Sequence, residues 1–529
     1  MLLLLPALFL CGTARAVPTH FSSLSEPCGQ SGLLPDSASL RAMLEMAESL
    51  GESGLLHGEG FPQLPGDTGN PGREKAWTLM FYDDADFYGA FDPFDDFCSE
   101  AASSPCLDVV ILRDVENGPA ALWYVDPSHE PVMLLKLGEL DMGDGATLSD
   151  FIQWAKQNYP ADRYIMTMYD HGGGWWGACI DETSGGDLLF MEEIHQAISE
   201  SGGLDILCFT APCLMGALES VYELRDCVDV YIGSENVSGY QYWFDTIVDL
   251  CEALNSPDPL SNEEIASIVV QAVLDNAPPE YESFMTMSAT DPSSTEDLVA
   301  HIDELAVYMT AHIEELGAGV QTVRNSTWEM GSIYSGDLNE VDLIDFLVMY
   351  YSVETDPFVL GKIGEILSAF FPVVTCEVHG SGQSRSHGLS ISFPEDRSVY
   401  QDYYTLLDLD FADDTSWDEF LNAFYDFQET GIQGSAGLDR IRLSVSPNPF
   451  TSVASFGFSC PTAGSVTMRV HDCAGRVVAV PFEGSLESGG HSLVWDGTGG
   501  DGEPLPSGIY VCTLDSGGLT AAAEVLILR

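Results

Sequence analysis

The apolar positions of this chain fall into two textures. In the front part, short runs that are apolar throughout end abruptly in polar residues. They are Trp77–Tyr82 before Asp83 and Asp84, Leu107–Leu112, Tyr164–Tyr169 and Leu204–Phe209. Unbroken runs of this length mark strands buried on both faces. Between them, Leu148–Gln157, Met191–Ser199 and Leu214–Leu224 space their apolar residues as helices do. Strands alternating with helices predict an α/β domain, a mostly parallel sheet flanked by helices. The pattern continues with helices at Asn262–Asn276, Thr295–Leu316, Glu340–Tyr350 and Val359–Phe370 and one late strand, Gly388–Phe393. From Ile441 onward, short alternating strands separated by Gly, Pro, Ser and Asp turns predict a small all-β sandwich.

The rest of the chain divides around these two blocks. Residues 1–16 read as a signal peptide, a short apolar run ending in Ala14-Arg15-Ala16. A lipid anchor on Cys11 is the alternative, disfavoured by the bulky Leu10 before it. Residues 17–75 form a leader, with a helix expected at Ser37–Leu50 and a Gly/Pro-rich linker after it. The main domain covers 76–430, a linker 431–440 and the sandwich 441–529. The signal peptide places the expected location outside the cytoplasm, secreted or on a bacterial cell surface, and no other stretch reaches the roughly 18 apolar residues of a membrane helix.

Charge sharpens the picture. The 529 residues hold 83 acids against 18 Lys and Arg, a net charge of −65. Residues 441–529 contribute eight acids and four bases, so the acidity belongs to the front part. Such a field repels nucleic acid and favours cationic partners or divalent cations. Thirteen cysteines show no disulfide framework in their spacing.

Two strand ends carry the candidate chemistry. One is Tyr169-Asp170-His171-Gly172-Gly173-Gly174-Trp175, where a strand delivers a histidine into a glycine-rich turn. The other is Phe209-Thr210-Ala211-Pro212-Cys213, where a strand delivers a cysteine to the expected start of a helix. The helix dipole would favour the thiolate, and His171 would accept its proton. Gly172 offers a backbone N–H for an oxyanion. The His-then-Cys order, 42 residues apart, is close to the spacing of about 50 in caspase-like thiol enzymes. The HGGG string also occurs in α/β-hydrolase esterases, but these need a G-x-S-x-G elbow and none occurs here. Cys179, Cys208, Cys227 and Cys251 are expected in the core. His171, Cys208 and Cys213 lack zinc-site spacing, so no metal ligand is assigned. Asp83, Asp84 and Asp86, or Asp92, Asp95 and Asp96, are acidic loops that could hold calcium, although such loops are commonly just solvated.

Seven segments taken together carry a family resemblance: WTLMFYDDAD (77–86), GELDMGDGATLSDFIQW (138–154), YDHGGGWWG (169–177), CLMGALESVYELRDCVDVYIGSE (213–235), MSATD (287–291), VDLIDFL (341–347) and SHGLSISFP (386–394). In this order they resemble the clostripain-type cysteine peptidases. The resemblance implies a caspase-like fold, a His171–Cys213 dyad and endopeptidase activity on protein or peptide substrates. No cofactor is required, although several members depend on calcium. Members commonly mature by cutting after a basic residue between the two catalytic residues, yet no Lys or Arg lies between Arg163 and Arg225. The family's usual Asp two residues before the cysteine, which binds an Arg or Lys side chain, is Ala211 here. That places Arg/Lys specificity in doubt; Glu235 is the candidate replacement acid, and Trp175 a further candidate for substrate binding. The alternative is a decayed peptidase fold acting as a surface binding or display protein. The tail, through VSPNPF (445–450) and WDGTGGDGEPLPSGIYVCTL (495–514), resembles FlgD-type immunoglobulin-like modules, which implies contact with the cell surface or secretion machinery.

Overall fold

The structure, a computed structural model, describes residues 61–62, 75–86, 94–209, 211–238, 243–256, 258–330 and 340–395, and, with short interruptions, 397–431 and 443–527. The expected signal peptide, the leader helix at Ser37–Leu50, Asp92 and the linker beyond Gly431 lie outside the described residues. Two compact units emerge, Met1–Leu421 and Asn422–Arg529.

Among the described residues the first unit has thirteen strands: β1 (Lys75–Ala85), β2 (Leu107–Val115), β3 (Ala121–Val125), β4 (Pro131–Lys136), β5 (Ala161–Tyr169), β6 (Gly177–Asp181), β7 (Asp187–Phe190), β8 (Leu204–Cys208), β9 (Val228–Gly233), β10 (Thr286–Thr290), β11 (Glu340–Asp342), β12 (Val374–His379) and β13 (Ser390–Ser392). Nine of them form one sheet in the order β12-β10-β9-β8-β5-β1-β2-β3-β4. Its heart, β9-β8-β5-β1-β2, is parallel, and the strands towards both edges are antiparallel.

Both faces of the heart are covered, which is why its strands read as unbroken apolar runs. On one face Leu79, Phe81, Val109, Ile111, Ile165, Ile206 and Ile232 pack with Ile247, Leu250, Ile265 and Val269 of the helices Trp243–Leu254 and Asn262–Asp275. On the other face Tyr82 meets Phe151 of the helix Gly145–Asn158, whose first turn is capped by Asp144. Among the described residues no helix is long and apolar enough to cross a membrane.

Four expectations are corrected by tertiary context. The helix expected at Leu214–Leu224 is only Leu218–Glu223, because residues 213–216 are drawn out to pair with the chain beyond β9. Glu340–Asp342 is a strand, and Asp342 then caps the helix Leu343–Val353. The long helix Thr295–Leu316 is two helices, Thr295–Ala311 and Ile313–Arg324, broken at His312. The late strand shortens to β13 and pairs with β11, outside the main sheet.

The second unit contains a three-stranded and a four-stranded antiparallel sheet. Phe456, Met468, Val470, Trp495 and Cys512 share its apolar core. This is the expected immunoglobulin-like sandwich.

Two buried carboxyls of the first unit make stability depend on pH. Glu219 accepts bonds from the Ser392 N–H and the Tyr404 hydroxyl, and Glu340 from the Ser390 hydroxyl. Burial pushes Glu340 up to about 8, aided by nearby Glu219, and Glu219 to about 7. Their contribution is fully present below the unfolded value of about 4.3 and is lost as pH rises through the folded values. The melting temperature should therefore fall between about pH 5 and pH 8. Glu340→Gln, which keeps the Ser390 contact without an ionisable proton, should flatten that fall in a thermal-shift series. An unchanged slope would contradict the assignment.

Candidate active site

β5 and β8 are parallel neighbours with Thr167 opposite Cys208. Four residues beyond that rung on β5 stands His171, and five beyond it on β8 stands Cys213. Adjacent strands thus carry both residues past the same carboxyl edge, where open α/β sheets place their sites.

The histidine turn is fixed by backbone bonds. Asp170 has a φ of 152°, outside the regions most L-residues adopt, and its carboxylate accepts the Ile180 N–H at 2.6 Å. The Cys179 N–H donates to the His171 carbonyl at 3.0 Å, and the Gly173 N–H to the Gly177 carbonyl at 2.9 Å. Gly172 lies between these bonds, bridged to Ala178. In such a pair the flanking residues carry the bonds, leaving the Gly172 N–H directed away from Ala178.

Gly172 also explains how the two loops meet. A Cβ on it would run into the Cys213 carbonyl, sit 2.7 Å from the Cys213 nitrogen and 2.8 Å from Pro212 Cβ. Backbone therefore lies on backbone, and only glycine permits the approach. Gly174, at φ 64°, is likewise packed against the Glu340 carboxyl.

The cysteine loop is anchored from the other side. The Leu214 N–H donates to the Asn236 carbonyl and the Gly216 N–H to the Ser234 carbonyl. The Ser238 N–H points at Cys213 Sγ from 3.3 Å. The helix that follows begins only at Leu218, so its dipole, which falls off within a turn, is not what acts on the sulfur. The nearest donor to the sulfur is instead the Ser238 N–H. Cys213 is partly exposed, whereas Cys179, Cys208, Cys227 and Cys251 are buried as expected. Burial pushes the thiols of Cys227 and Cys251 up to about 12.

The three candidate substrate-binding residues are all buried. Ala211 belongs to the apolar core with Tyr169, Cys208 and Ile232. Trp175 packs edge-on against Trp176 and Tyr404. Glu235 lies beside Gly216 of the cysteine loop and accepts the Gly388 N–H at 2.8 Å. Burial, with Asp342 nearby, pushes its carboxyl well up. Asp342 in turn lies 3.0 Å from the His387 imidazole. Sequence reasoning missed Ser238, because a backbone N–H leaves no mark in residue type. Asp342 and His387, which stand behind Glu235, lie in the segments VDLIDFL and SHGLSISFP.

A group of carboxyls (Asp84, Asp86, Asp170, Asp181 and Glu182) converges beside the histidine turn. Among the described residues, the clusters with metal-compatible spacing are elsewhere, His195 with Asp226 and Cys227, and His301 with Glu304 and Glu365. In the second, Lys362 already bridges both glutamates.

The sheet order and the two loops it carries define a caspase-like α/β fold. The clostripain family profile matches residues 99–424, and the FlgD immunoglobulin-like profile matches 447–517. The chain belongs to the clostripain family. Clostripain from Hathewaya histolytica is 26% identical over 317 residues, a match covering 50% of this chain and 60% of that protein. An inactive zymogen C11 protease from Parabacteroides distasonis superposes with a TM-score of 0.50 at 16% identity, covering 65% of this chain and 99% of that one. A secreted C11 cysteine protease from Bacteroides thetaiotaomicron, solved with an irreversible peptide inhibitor, gives 0.48 at 16% identity, over 66% and 99%.

The backbone contact at Gly172 can be tested directly. Gly172→Ala must push the histidine and cysteine loops apart, and a shift of about 1 Å can cost a hundredfold in rate. The variant should fold, melt within a few degrees of the parent and lose most of whatever thiol-dependent turnover the parent shows. Parent-like activity would show that the two loops need not touch.

Proposed function

We propose that this chain is a thiol endopeptidase in which Cys213 is the nucleophile and His171 its general base and acid. The observation that carries this reading is the Gly172–Cys213 backbone contact between two parallel-strand ends. His171 takes the thiol proton as Cys213 Sγ attacks the substrate carbonyl. The Ser238 N–H favours the thiolate beforehand, and the Gly172 N–H receives the oxyanion. His171 then gives its proton to the leaving amine, and water releases the acyl group from sulfur.

Specificity follows from what surrounds the cysteine. An isolated cationic side chain is costly to bury without a carboxylate. Ala211 supplies none, and Glu235 is buried, bound to Gly388 and pushed towards its neutral form. The preferred residue before the cut is therefore uncharged. The same logic covers maturation: with no Lys or Arg from 164 to 224, the chain stays intact there or is cut after a non-basic residue. We place the protein outside the cytoplasm, with its C-terminal module as the contact to the cell surface or secretion machinery.

Cys213→Ala and His171→Ala should each abolish turnover of a peptide substrate without lowering the melting temperature. Because the two residues act as one unit, the double variant should be no worse than either single. Substantial turnover by Cys213→Ala would end this reading. A peptide library varied at the position before the cut, together with the intact mass of the purified enzyme, tests specificity. Strong selection of Arg or Lys would mean that another acid has replaced the missing one.

A further inference from the structure

The parallel strands have a second edge, opposite the one that carries His171 and Cys213. β8 begins there at Leu204 and β9 at Val228, and these two residues are paired. Two connecting segments reach this edge. The helix Met191–Glu200 follows the β6–β7 hairpin and leads into β8. The helix Leu218–Glu223 follows the cysteine loop and leads, through residues 224–227, into β9.

The second segment presents Glu223, Asp226 and Cys227 at positions i, i+3 and i+4. On a helical turn that spacing brings side chains to one side. The turn persists here, because the Cys227 and Val228 N–H groups both donate to the Leu224 carbonyl. The Cys227 carbonyl accepts the Leu204 N–H at 2.9 Å, which ties the turn to the start of β8. Facing it from the first segment is His195. Its Nε2 lies 2.9 Å from an Asp226 carboxylate oxygen, and its Nδ1 3.7 Å from Glu223. Cys227 completes the group: one ligand atom from each of His195, Asp226 and Cys227 lies within 4.8 Å of the others.

Burial grades across the group. Glu223 and Cys227 are buried, His195 is half-buried and Asp226 is exposed, so the place opens to solvent on the Asp226 side. The neighbouring cation does not fill it. Arg225 directs its guanidinium to Asp410 and Asp414 instead. This differs from the cluster around His301, where Lys362 already holds the carboxylates.

We infer that His195, Asp226 and Cys227 bind one divalent ion of the zinc class, and that Glu223 orients the imidazole. Imidazole nitrogen, thiolate and carboxylate together are a zinc donor set, whereas calcium and magnesium take oxygen throughout. Metal bonds of about 2.0–2.3 Å draw the three atoms closer than they stand, a turn the exposed Asp226 side chain can make. The ion takes Nε2, which leaves the Nδ1–H to donate to Glu223. A carboxylate behind a ligating histidine fixes the ring in this way. On binding, the S–H bond of Cys227 breaks, sulfur bonds to the metal and the proton passes to solvent. Three protein ligands leave a fourth position for water. The ion clamps the two connecting segments to each other at the edge away from His171 and Cys213. Its effect is therefore on stability, and the site does not rest on the proposed peptidase reading.

The full chain carrying Cys213→Ala, so that the proposed dyad offers no thiol, is reduced, stripped by chelation and titrated with Co²⁺ and then Zn²⁺. The expected result is a thiolate-to-cobalt charge-transfer band that saturates at one ion per chain and is bleached by Zn²⁺. Zn²⁺ should also raise the melting temperature. In the same background Cys227→Ser should lose the band. His195→Ala should bind Zn²⁺ at least about tenfold more weakly, about 1.4 kcal/mol. His195 is half-buried, so its variant keeps the test decisive should Cys227→Ser fail to fold. Absence of the band, its survival in Cys227→Ser, or parent-like Zn²⁺ affinity in His195→Ala overturns the site. Glu223→Gln should weaken binding about tenfold or more. Unchanged affinity there overturns the orienting role. With Cys213 already replaced, a failure of the peptidase reading leaves every one of these outcomes as it stands.

Discussion

The parallel pairing of β1, β5 and β8 is the constraint on which the molecule's chemistry depends. Three strands in register end at one edge, and each releases polar residues within a few positions of its last rung: Asp84 and Asp86, His171, and Cys213. His171 and Cys213, the proposed dyad, stand on loops held by the main chain. Backbone hydrogen bonds to Cys179, Asn236 and Ser234 fix their loops, and the missing side chain of Gly172 lets the loops meet. Precision here comes from main-chain geometry, which lacks the rotamer freedom of long side chains.

The same edge gathers much of the buried acid of the first unit, and proximity gives identical residue types different fates. Asp83 is neutralised by an arginine, while Asp84, its neighbour in sequence, lies among carboxyls beside the Cys179 thiol. Glu219 and Glu340 accept hydrogen bonds, and burial favours their neutral form. The strong excess of acid over base in the composition is thus partly internal. That is costly unless each group finds a donor, a proton or an ion.

The heart of the fold was legible because burial on both faces writes itself as unbroken apolar runs. Trp77–Tyr82, Tyr164–Tyr169 and Leu204–Phe209 all fall in the central strands. Other elements were not: β4 is partly exposed, and the short β6–β7 hairpin is interrupted by acids, so neither carries that signature. The candidate site was legible in its residues but not in its support. His171, Gly172 and Cys213 stand out by type and by position at strand ends. The helix expected behind Cys213 is displaced because Leu214 and Gly216 find partners at Asn236 and Ser234, a contact no local propensity encodes. Ser238 contributes only its N–H, so its identity carries no message.

The pairing of β1 with β5 joins Lys75 to Ala161, and that of β5 with β8 joins Thr167 to Cys208. Contacts so distant along the chain form slowly, because a long loop must close before any pairing rewards it. His171 and Cys213, the pair proposed to react, stay apart until the sheet's centre has closed. An incomplete or partly unfolded chain carries a histidine and a cysteine but no assembled pair, so on the proposed reading the producing cell is spared their chemistry until folding is nearly done.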